Sequence, residues 1–440
     1  MTTARPRAVI IGAGIGGLTA ALSLHEVGIE VDVYEAAEEV RALGVGINLL
    51  PHAVREIDAL GLLPGLLALG IEPEELVYTT KRGEEIWREP RGKHAGYPWS
   101  QVSVHRGRLQ SLLLDAVHDR LGRTRLHLGH RLLAVDDDPV RPVARFDERS
   151  VDADVVIGAD GIHSCLRRQR FPAEGPPHWN GALLWRGVAE VDAVMGGRTQ
   201  IWAGHPAQKF VAYPIRDLPD GRQELNFIAE LSRPDQPLAE REDWNRAGRL
   251  EDFLPEFEDW TFPWLDVPGV IRAAPATFLF PMVDRDPLPQ WTFGRTTLLG
   301  DAAHPMFPIG SNGASQAILD ARVLAGCLRA DTDIDAALAR YEQIRRPATA
   351  RIVEANRRMG PELPMKLVEE RAPNGFTDIS DVISEAEIAQ VTEDYRRTAG
   401  FALASLQGSR SLLEQPDSSS NRTDTIDRQR PDLPAGILDG

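Results

Sequence analysis

The feature that most constrains the fold is a glycine cluster close to the N-terminus. The stretch "AVIIGAGIGGLTAALSLHEVGIEVDVYE" begins as a buried strand, passes through four glycines into an apolar helical pattern, and ends in a second strand-like run. This order makes the βαβ unit of nucleotide-binding sheets. The chain is therefore expected to open with an α/β domain, and the glycines argue against a secretory signal helix.

The spacing of the glycines predicts a dinucleotide site. Gly12 would permit a tight turn, Gly14 would let a pyrophosphate approach the backbone, and Gly17 would let helix and strand pack closely. Glu35, at the end of the second strand, would accept hydrogen bonds from ribose hydroxyls, which favours FAD or NAD over NADP. The motif alone leaves FAD and NAD open. The expected contacts in this turn are Gly12, Gly14, Ile15, Gly16 and Gly17.

Composition limits the partners. The 440 residues suffice for two or three domains, and 49 Lys and Arg against 65 Asp and Glu give a net charge of -16. This charge disfavours nucleic acid and anionic membranes, so a small-molecule partner is expected. No apolar run approaches the roughly 18 residues of a membrane span. Cys165 and Cys327 are too few for a disulfide framework or a four-cysteine metal site, which favours a cytoplasmic protein with no metal centre.

The rest of the chain alternates between two patterns. Strand-like runs between Ala182 and Leu231 predict a mostly antiparallel sheet, whereas buried-strand and helical patterns return at Thr296. We therefore expect a discontinuous α/β domain with an inserted sheet domain. Polar, Pro- and Ser-rich residues from Gln407 predict a mobile tail. The expected divisions are the α/β domain in 1–75, 101–175 and 286–360, the sheet domain in 76–100 and 176–285, a C-terminal helical region in 361–406, and the tail in 407–440.

Four later motifs carry a family resemblance. In order, they are "VRALGVGINLLPHAV", "VSVHRGRLQSLLLDAV", "VVIGADGIHSCLRRQ" and "GDAAHPMFPIGSNGASQA". Together with the glycine turn they resemble the class A FAD-dependent aromatic monooxygenases related to p-hydroxybenzoate hydroxylase. The resemblance runs from about Ala8 to Pro347. "LLWRGV" and "FPMVDRDPLPQW" look closest to the bacterial branch that contains 5-methylphenazine-1-carboxylate 1-monooxygenase.

The resemblance implies an activity. The fold would be a Rossmann-like FAD-binding domain of the glutathione-reductase type, with FAD bound tightly, NADH or NADPH bound transiently, and O2 as co-substrate. A C4a-hydroperoxyflavin would hydroxylate a phenolic or phenazine-type secondary metabolite, with or without loss of CO2, in a monomer or homodimer. An FAD-dependent reductase or epoxidase of the same fold, and a non-catalytic FAD-binding protein, stay open as alternatives.

The resemblance also assigns FAD contacts. Asp160 and Gly161 would lie near the pyrophosphate, and Asp301 would bind the ribityl chain or pyrophosphate. A helix beginning near Gly313 would stabilise negative charge on the reduced flavin. "PIGSNG" departs from the commoner "PxGGQG" pattern, which leaves the role of Asn312 open. The other expected contacts are Arg41, Gly44, Val45, Arg106, Gly300, Gly310, Asn312, Gly313 and Ala314.

The inserted sheet is expected to roof the flavin and to bind substrate. Trp185 and Arg186 in "LLWRGV" and Tyr213 in "VAYPI" are the candidate substrate contacts. Arg186 would pair with a substrate carboxylate, and Tyr213 would hydrogen-bond or help deprotonate a ring hydroxyl. With Pro308 in the flavin-side loop, Arg186 and Tyr213 are the expected catalytic residues. His304 is expected to fix that loop.

Overall fold

The computed structural model describes residues 6–40, 44–235 and 246–413. The first part contains β1 (Arg7–Ile11), α1 (Ile15–Glu26), β2 (Glu30–Tyr34), β3 (Gly46–Leu49), α2 (Pro51–Ala59), α3 (Leu63–Leu69), β4 (Gly70–Ile71), β5 (Glu75–Thr79), β6 (Glu85–Pro90), β7 (Val102–His105), α4 (Arg106–Leu121), β8 (Leu126–His127), β9 (Leu132–Asp136), β10 (Val143–Phe146), β11 (Ser150–Asp152), β12 (Val155–Gly158) and α5 (Cys165–Arg170). The second part contains β13 (His178–Val191), β14 (Thr199–His205), β15 (Gln208–Asp217), β16 (Gln223–Ser232), β17 (Thr261–Phe262), β18 (Leu265–Asp266), α6 (Val267–Ala273), β19 (Thr277–Asp284), β20 (Thr296–Leu298), α7 (Gly313–Ala330), α8 (Ile334–Arg357), α9 (Leu363–Arg371), α10 (Glu385–Thr398) and α11 (Leu403–Leu406).

A five-stranded parallel sheet forms the nucleotide-binding layer, in the order β20, β12, β1, β2, β8. The central strand β1 is almost entirely buried, as its continuous apolar run predicts. Helix α1 packs against both this sheet and α7. Gly16 permits the close packing, because a Cβ there would lie 2.8 Å from a methyl group of Leu299.

A seven-stranded sheet lies beside this layer, in the order β19, β13, β16, β15, β14, β5, β6. The β5–β14 pair is parallel and the other pairs are antiparallel. The predicted combination of a parallel α/β layer and an inserted, mostly antiparallel sheet is thus confirmed. Strands β5 and β6 reach this sheet from the N-terminal part of the chain, so the sheet domain is itself discontinuous.

The start of the predicted tail is corrected by the structure. Ser411 and Leu413 are buried, and Leu413 belongs to the core around the parallel sheet. The Ser411 hydroxyl donates to Glu56 at 2.6 Å, and the Leu412 N–H donates to the same carboxylate at 3.1 Å. Residues 411–413 are therefore packed, because Glu56 binds them, whereas Gln407, Gly408 and Arg410 before them are exposed. Residues 414–440 lie outside the described part of the chain.

Helices at the C-terminal end complete the molecule. Helix α8 leads into α9 and α10, which pack near the antiparallel sheet and the second glycine loop. Among the helices within the three described ranges, none is both long and apolar enough to cross a bilayer.

Candidate cofactor and substrate site

The N-terminal glycine turn leaves room for phosphate at the start of α1. Gly12 has φ +105°, and a Cβ there would collide with the carbonyl oxygen of Ala159. A Cβ at Gly17 would collide with the Gly12 carbonyl. At Gly14 a Cβ would meet no described atom within 4 Å. Gly14 is also the N-cap of α1 and carries no side chain to cap it, so the first-turn N–H groups are available to a pyrophosphate.

Glu35 lies directly after β2, beside this turn. Its carboxylate accepts hydrogen bonds from the backbone N–H of Ala13 at 2.8 Å and of Ala37 at 2.9 Å. These bonds fix the side chain, and each oxygen retains acceptor capacity for a ribose hydroxyl. The arrangement fits the acidic residue of a dinucleotide fingerprint.

Asp160 is brought to the glycine turn by the pairing of β12 with β1. Its Oδ2 accepts a hydrogen bond from Cys165 N at 2.7 Å, at the start of α5. Its Oδ1 is buried and finds no hydrogen-bond partner among the described residues. Burial raises the pKa of this carboxyl, although hydrogen bonds from Ser164 and Cys165 oppose the shift. A buried polar atom without a partner is the signature of a missing polar ligand, and Gly161 follows in the same turn.

The second glycine loop begins directly after β20. From Gly300 to Gly310 most residues are buried, whereas Asp301 and Pro308 are exposed. The Asp301 side chain is accessible only within a cleft that protein encloses, and this enclosure raises the pKa of its carboxyl. Asp301 and Pro308 are therefore the two side chains of this stretch that a cofactor or substrate can reach most freely.

Asp320 on α7 holds this loop. Its carboxylate accepts a hydrogen bond from Gly300 N at 3.0 Å and lies 2.5 Å from Nε2 of His304 and 2.6 Å from Nε of Arg345. Burial alone would raise the pKa of Asp320, but His304 and Arg345 lower it to about 2. His304 is itself buried against Asp320, in agreement with the expected loop-fixing role.

Asn312 ends the loop at the start of α7. It occupies the N-cap position, yet its side chain makes no capping hydrogen bond within the described structure. Asn312 Nδ2 instead contacts the Tyr395 hydroxyl at 2.8 Å and the Gly310 carbonyl oxygen at 3.2 Å. Asn312, at which the loop departs from the commoner pattern, is thus hydrogen-bonded to Tyr395 on the C-terminal helix α10.

The start of α7 lies next to the Asp301 cleft. An ideal Cβ at Gly313 would be 4.0 Å from Asp301 Oδ1, and Ala314 follows in the first turn. The first-turn N–H groups of this 18-residue helix carry no side-chain cap from Asn312. They can therefore stabilise negative charge that develops in the cleft.

Three further predicted FAD contacts, Gly44, Val45 and Arg106, lie close together at the start of β3. The backbone N–H of Arg106, the first residue of α4, donates to the Val45 carbonyl at 3.0 Å. A Cβ at Gly44 would lie 3.8 Å from the Arg106 side chain. Arg41, which the sequence also assigned to the cofactor, lies outside the described residues.

A small pocket of about 20 Å³, lined by both charged and aromatic side chains, opens onto the second glycine loop at Gly310 and Ser311. Glu89, which is buried, forms ion pairs with Arg91 at 2.9 Å and with Arg396 at 2.6 Å. The sequence did not single out these residues, because they come from separate strands and helices that carry no motif. The remaining lining residues are Leu50, Gln101, Gln200, Trp202, Pro361, Thr392, Tyr395 and Phe401.

The sequence is similar to known flavoproteins along most of its length. A family model described as an FAD binding domain matches residues 6–249 and 282–356. Phenazine 1,6-dicarboxylic acid hydroxylase PhzS of Lysobacter antibioticus is 42% identical over 408 residues, which cover 90% of this chain and 98% of that protein. The chain belongs to the FAD-dependent aromatic monooxygenases. The 3-amino-4-hydroxybenzoate 2-monooxygenase PtnB3 of Streptomyces platensis is 34% identical, covering 82% of this monooxygenase and 89% of its own chain.

Solved structures agree with the fold of this monooxygenase. Klebsiella pneumoniae HpxO complexed with FAD and uric acid superposes with a TM-score of 0.71 at 26% identity, covering 92% of this chain and 98% of that one. FAD is the cofactor, with NAD(P)H and O2 as co-substrates. The named relatives are hydroxylases and monooxygenases, which favours this activity over the reductase, epoxidase and non-catalytic alternatives.

In the monooxygenase, side chains of the antiparallel sheet form hydrogen bonds to Gly46, the first residue of β3. Arg186 Nη2 and the Tyr213 hydroxyl both donate to the Gly46 carbonyl, at 2.7 and 2.8 Å, and Gly46 N donates to Asn226 Oδ1 at 2.7 Å. The Arg186 guanidinium also lies 5.5 Å from the centre of the Phe280 ring. Arg186 and Tyr213 therefore meet, as predicted, but they meet at a backbone carbonyl two residues after Gly44.

Tyr213 is poorly suited to act as a base. Burial raises the pKa of its hydroxyl, against the opposing effect of Arg186, so the group stays protonated at neutral pH. The Arg186 Nε and Asn226 Nδ2 atoms are buried and have no hydrogen-bond partner in the part of the chain that the structure describes. These two donors, unlike the tyrosine hydroxyl, have no described protein acceptor.

Trp185 is separated from Arg186 by the sheet itself. Successive residues of β13 alternate between faces, so Leu184 and Arg186 share one face while Trp185 lies on the other. The Trp185 ring stacks on Phe253, with ring centres 5.1 Å apart. The prediction that Trp185 joins Arg186 and Tyr213 at the substrate is corrected accordingly, since Trp185 belongs to a core on the far side of the sheet.

Proposed function

We propose that this monooxygenase hydroxylates a planar, carboxylated heteroaromatic compound of the phenazine class. The observation that carries the proposal is the pocket beside Gly310 and Ser311, in which Arg91 and Arg396 share the single buried carboxylate of Glu89. The 42% identity to a protein named as a phenazine dicarboxylic acid hydroxylase supports the same class.

The charges of this pocket favour an acidic substrate. Two guanidinium groups offer more donors than one carboxylate can accept, and Nε of Arg91 is buried without a partner among the described residues. Glu393 lies 3.7 Å from Arg396 Nη1, so Arg396 has an acidic group at each terminal nitrogen and the donors left for a substrate are those of Arg91. A substrate carboxylate would take the Arg91 donors in a bidentate arrangement, and the pocket would have to open beside Trp202 and Phe401 to admit a flat ring system.

The chain's own residues position the reaction. Bound FAD supplies the redox chemistry, taking a hydride from NAD(P)H and activating O2. The uncapped start of α7 stabilises negative charge on the reduced cofactor, and Pro308 presents an exposed, rigid surface at the reacting end. Arg186 and Tyr213 fix Gly46, and with it the backbone next to Gly44 and Val45.

Turnover with a matched series of compounds tests the substrate class. Purified holoenzyme is given NADH or NADPH in air with phenazine-1,6-dicarboxylate, phenazine-1-carboxylate, unsubstituted phenazine or 4-hydroxybenzoate. We expect ¹⁸O from ¹⁸O2 in a hydroxylated phenazine product, with KM lowest for the carboxylated compounds. Equal KM for phenazine and its carboxylates would contradict the acid-binding pocket. Mass spectrometry of the product also reports whether CO2 is lost.

Three further proposals rest on the sequence: the nicotinamide nucleotide, the cellular location and the oligomeric state. One glycine fingerprint serves FAD, so the nicotinamide nucleotide would bind transiently, and comparison of NADH with NADPH in the same assay identifies it. A cytoplasmic location fits the two cysteines, and a monomer or homodimer is expected. Light scattering of the eluting protein measures the oligomeric state.

A further inference from the structure

Tyr395 on α10 contacts the second glycine loop, residues 300–312, which is the flavin-side loop that contains Pro308. Its side chain is buried, and its hydroxyl lies 2.8 Å from Asn312 Nδ2, 2.8 Å from Asn356 Oδ1 and 3.1 Å from the Ile309 carbonyl oxygen. The hydroxyl accepts from the Asn312 amide and donates its one hydrogen to Asn356 or Ile309. A single atom thus joins α10 and α8 to the C-terminal part of the loop, from Ile309 to Asn312.

The fit around the tyrosine ring is tight. A Cβ at Gly310, where φ is +69°, would collide with the Tyr395 hydroxyl. A Cβ at Gly360 would lie 2.8 Å from Cε2 of the same ring. The ring is therefore inserted between two glycines, and the loop conformation and the position of Tyr395 determine each other.

The hydrogen bond to Tyr395 also sets the orientation of the Asn312 side-chain amide. Asparagine is among the best N-cap residues, because its side-chain oxygen accepts a first-turn backbone N–H. In this protein Asn312 Oδ1 instead lies 3.2 Å from Gln316 Nε2, while its Nδ2 is directed to Tyr395. The helical backbone of Asn312 (φ -91°, ψ -28°) turns its side chain away from the first-turn N–H groups, and the bond to Tyr395 holds the amide there, so the start of α7 stays free of a side-chain cap.

We infer that Tyr395 is a positioning residue for hydroxylation: through Asn312 and the Ile309–Gly310 backbone it holds the flavin-side loop and keeps the N-terminus of α7 uncapped. The inference rests on the monooxygenase activity and is independent of which aromatic substrate is used. Burial raises the pKa of the tyrosine hydroxyl, so it acts as a hydrogen-bonding group and not as an acid or base at working pH.

Removing only the hydroxyl tests this role. In Tyr395→Phe the ring still fills its site, so we expect normal FAD content and a KM for the aromatic substrate within about twofold of the parent value. The ratio of hydroxylated product to NAD(P)H oxidised should fall about threefold to tenfold, the range for losing one hydrogen bond, with H2O2 rising in its place. The visible absorption band of bound FAD should also shift, because the charge environment of the ring changes. An unchanged ratio and spectrum would overturn the inference.

Two further variants separate positioning from general loosening. Tyr97→Phe removes another buried tyrosine hydroxyl, which donates to Phe401 near the C-terminal helices at 2.8 Å, and should leave the product ratio unchanged. An equal fall in both variants would contradict a specific role. In an Asn312→Ala background, Tyr395→Phe should add little further loss of product, because both changes remove the same hydrogen bond. Full additivity would show that Tyr395 does not act through Asn312.

Discussion

At the scale of single residues, neighbouring glycines in the first turn have different tasks. Gly12 and Gly17 are required by the backbone around them, whereas Gly14 faces space that only a ligand fills. The sequence motif predicts different tasks for the three, although all are counted among the expected cofactor contacts, and spacing alone cannot show which atoms surround each Cβ.

Alanine at these positions should separate folding from binding. Gly14→Ala has room for its methyl group in the protein, so we expect a free energy of unfolding of the apoprotein within about 0.5 kcal/mol of the parent and much weaker FAD binding. Gly12→Ala should destabilise the apoprotein by about 2 kcal/mol or more, because of the positive φ and the Ala159 carbonyl. Urea unfolding and flavin fluorescence titration measure the two effects. Normal FAD affinity in Gly14→Ala would refute the phosphate site.

Asp320 makes a pH-dependent contribution to stability. With His304, Arg345 and Gly300 as partners, its carboxyl pKa is lowered to about 2 from the ordinary 3.8. The stabilisation is therefore complete above about pH 4 and is lost as the pH falls towards 2, when the folded protein takes up the proton. Asp320→Asn should cost about 3 kcal/mol at pH 7, and about 2 kcal/mol of that difference should fade over this interval.

Urea unfolding between pH 7 and pH 2 checks this dependence. Glu370→Gln removes an exposed carboxylate that lies 3.7 Å from Lys366 and should change stability by less than about 0.5 kcal/mol throughout. A cost for Asp320→Asn that stays constant with pH would be evidence against the lowered pKa.

At the scale of elements, strand β13 shows what the sequence could and could not predict. Its run of apolar residues was sufficient to predict a strand in an antiparallel sheet. The two-residue period of a strand puts adjacent residues on opposite faces, which already speaks against the expectation that Trp185 and Arg186 both contact the substrate. Which face meets the cofactor depends on how β13 sits between β19 and β16, and that arrangement involves residues far away in the chain. The motif-bearing loops were predictable because they are local.

The pocket residues escaped prediction for a related reason. Glu89 and Arg91 belong to β6 and the turn after it, whereas Arg396 lies on α10, about 300 residues later. No spacing rule joins such positions, and only the packing of the C-terminal helices on the sheet brings their charges together.

Substitutions at two adjacent positions of β13 test the assigned faces. Arg186→Met keeps the apolar stem but leaves the Gly46 carbonyl with one donor fewer, so FAD should bind about threefold to tenfold more weakly. Trp185→Phe should lower the free energy of unfolding and leave FAD affinity and substrate KM unchanged, since its ring stacks on Phe253. Titration of FAD into each apoprotein is the measurement. A raised KM in Trp185→Phe would reinstate that residue at the substrate.

At the scale of the whole molecule, residues 411–413 pack into the core of the N-terminal domain. Glu56 and Arg322 are buried together with an Nε–Oε2 distance of 3.2 Å, and Ser411 contacts both side chains. A buried ion pair depends on every hydrogen bond around it, because isolated charge is costly away from water.

Ser411→Ala should therefore destabilise the protein by about 1–3 kcal/mol, because the buried Arg322 Nη2 loses its acceptor and the Glu56 carboxylate loses one of its donors. Ser405→Ala, at an exposed position of α11, should change stability by less than about 0.5 kcal/mol. Thermal unfolding of the two holoproteins compares them. Equal midpoints would show that the Ser411 contact contributes nothing.

The order of strands in the parallel sheet also governs how this protein can be made. Strand β12 must find β1 across about 140 residues of nascent chain, and β20 joins only after the inserted sheet has left the ribosome. At roughly 5–20 residues per second, translation exposes the unfinished edge of β12 for several seconds or more. Chaperones that shield apolar strand edges during synthesis would then raise the yield of flavin-loaded enzyme, and slowing translation would lower it.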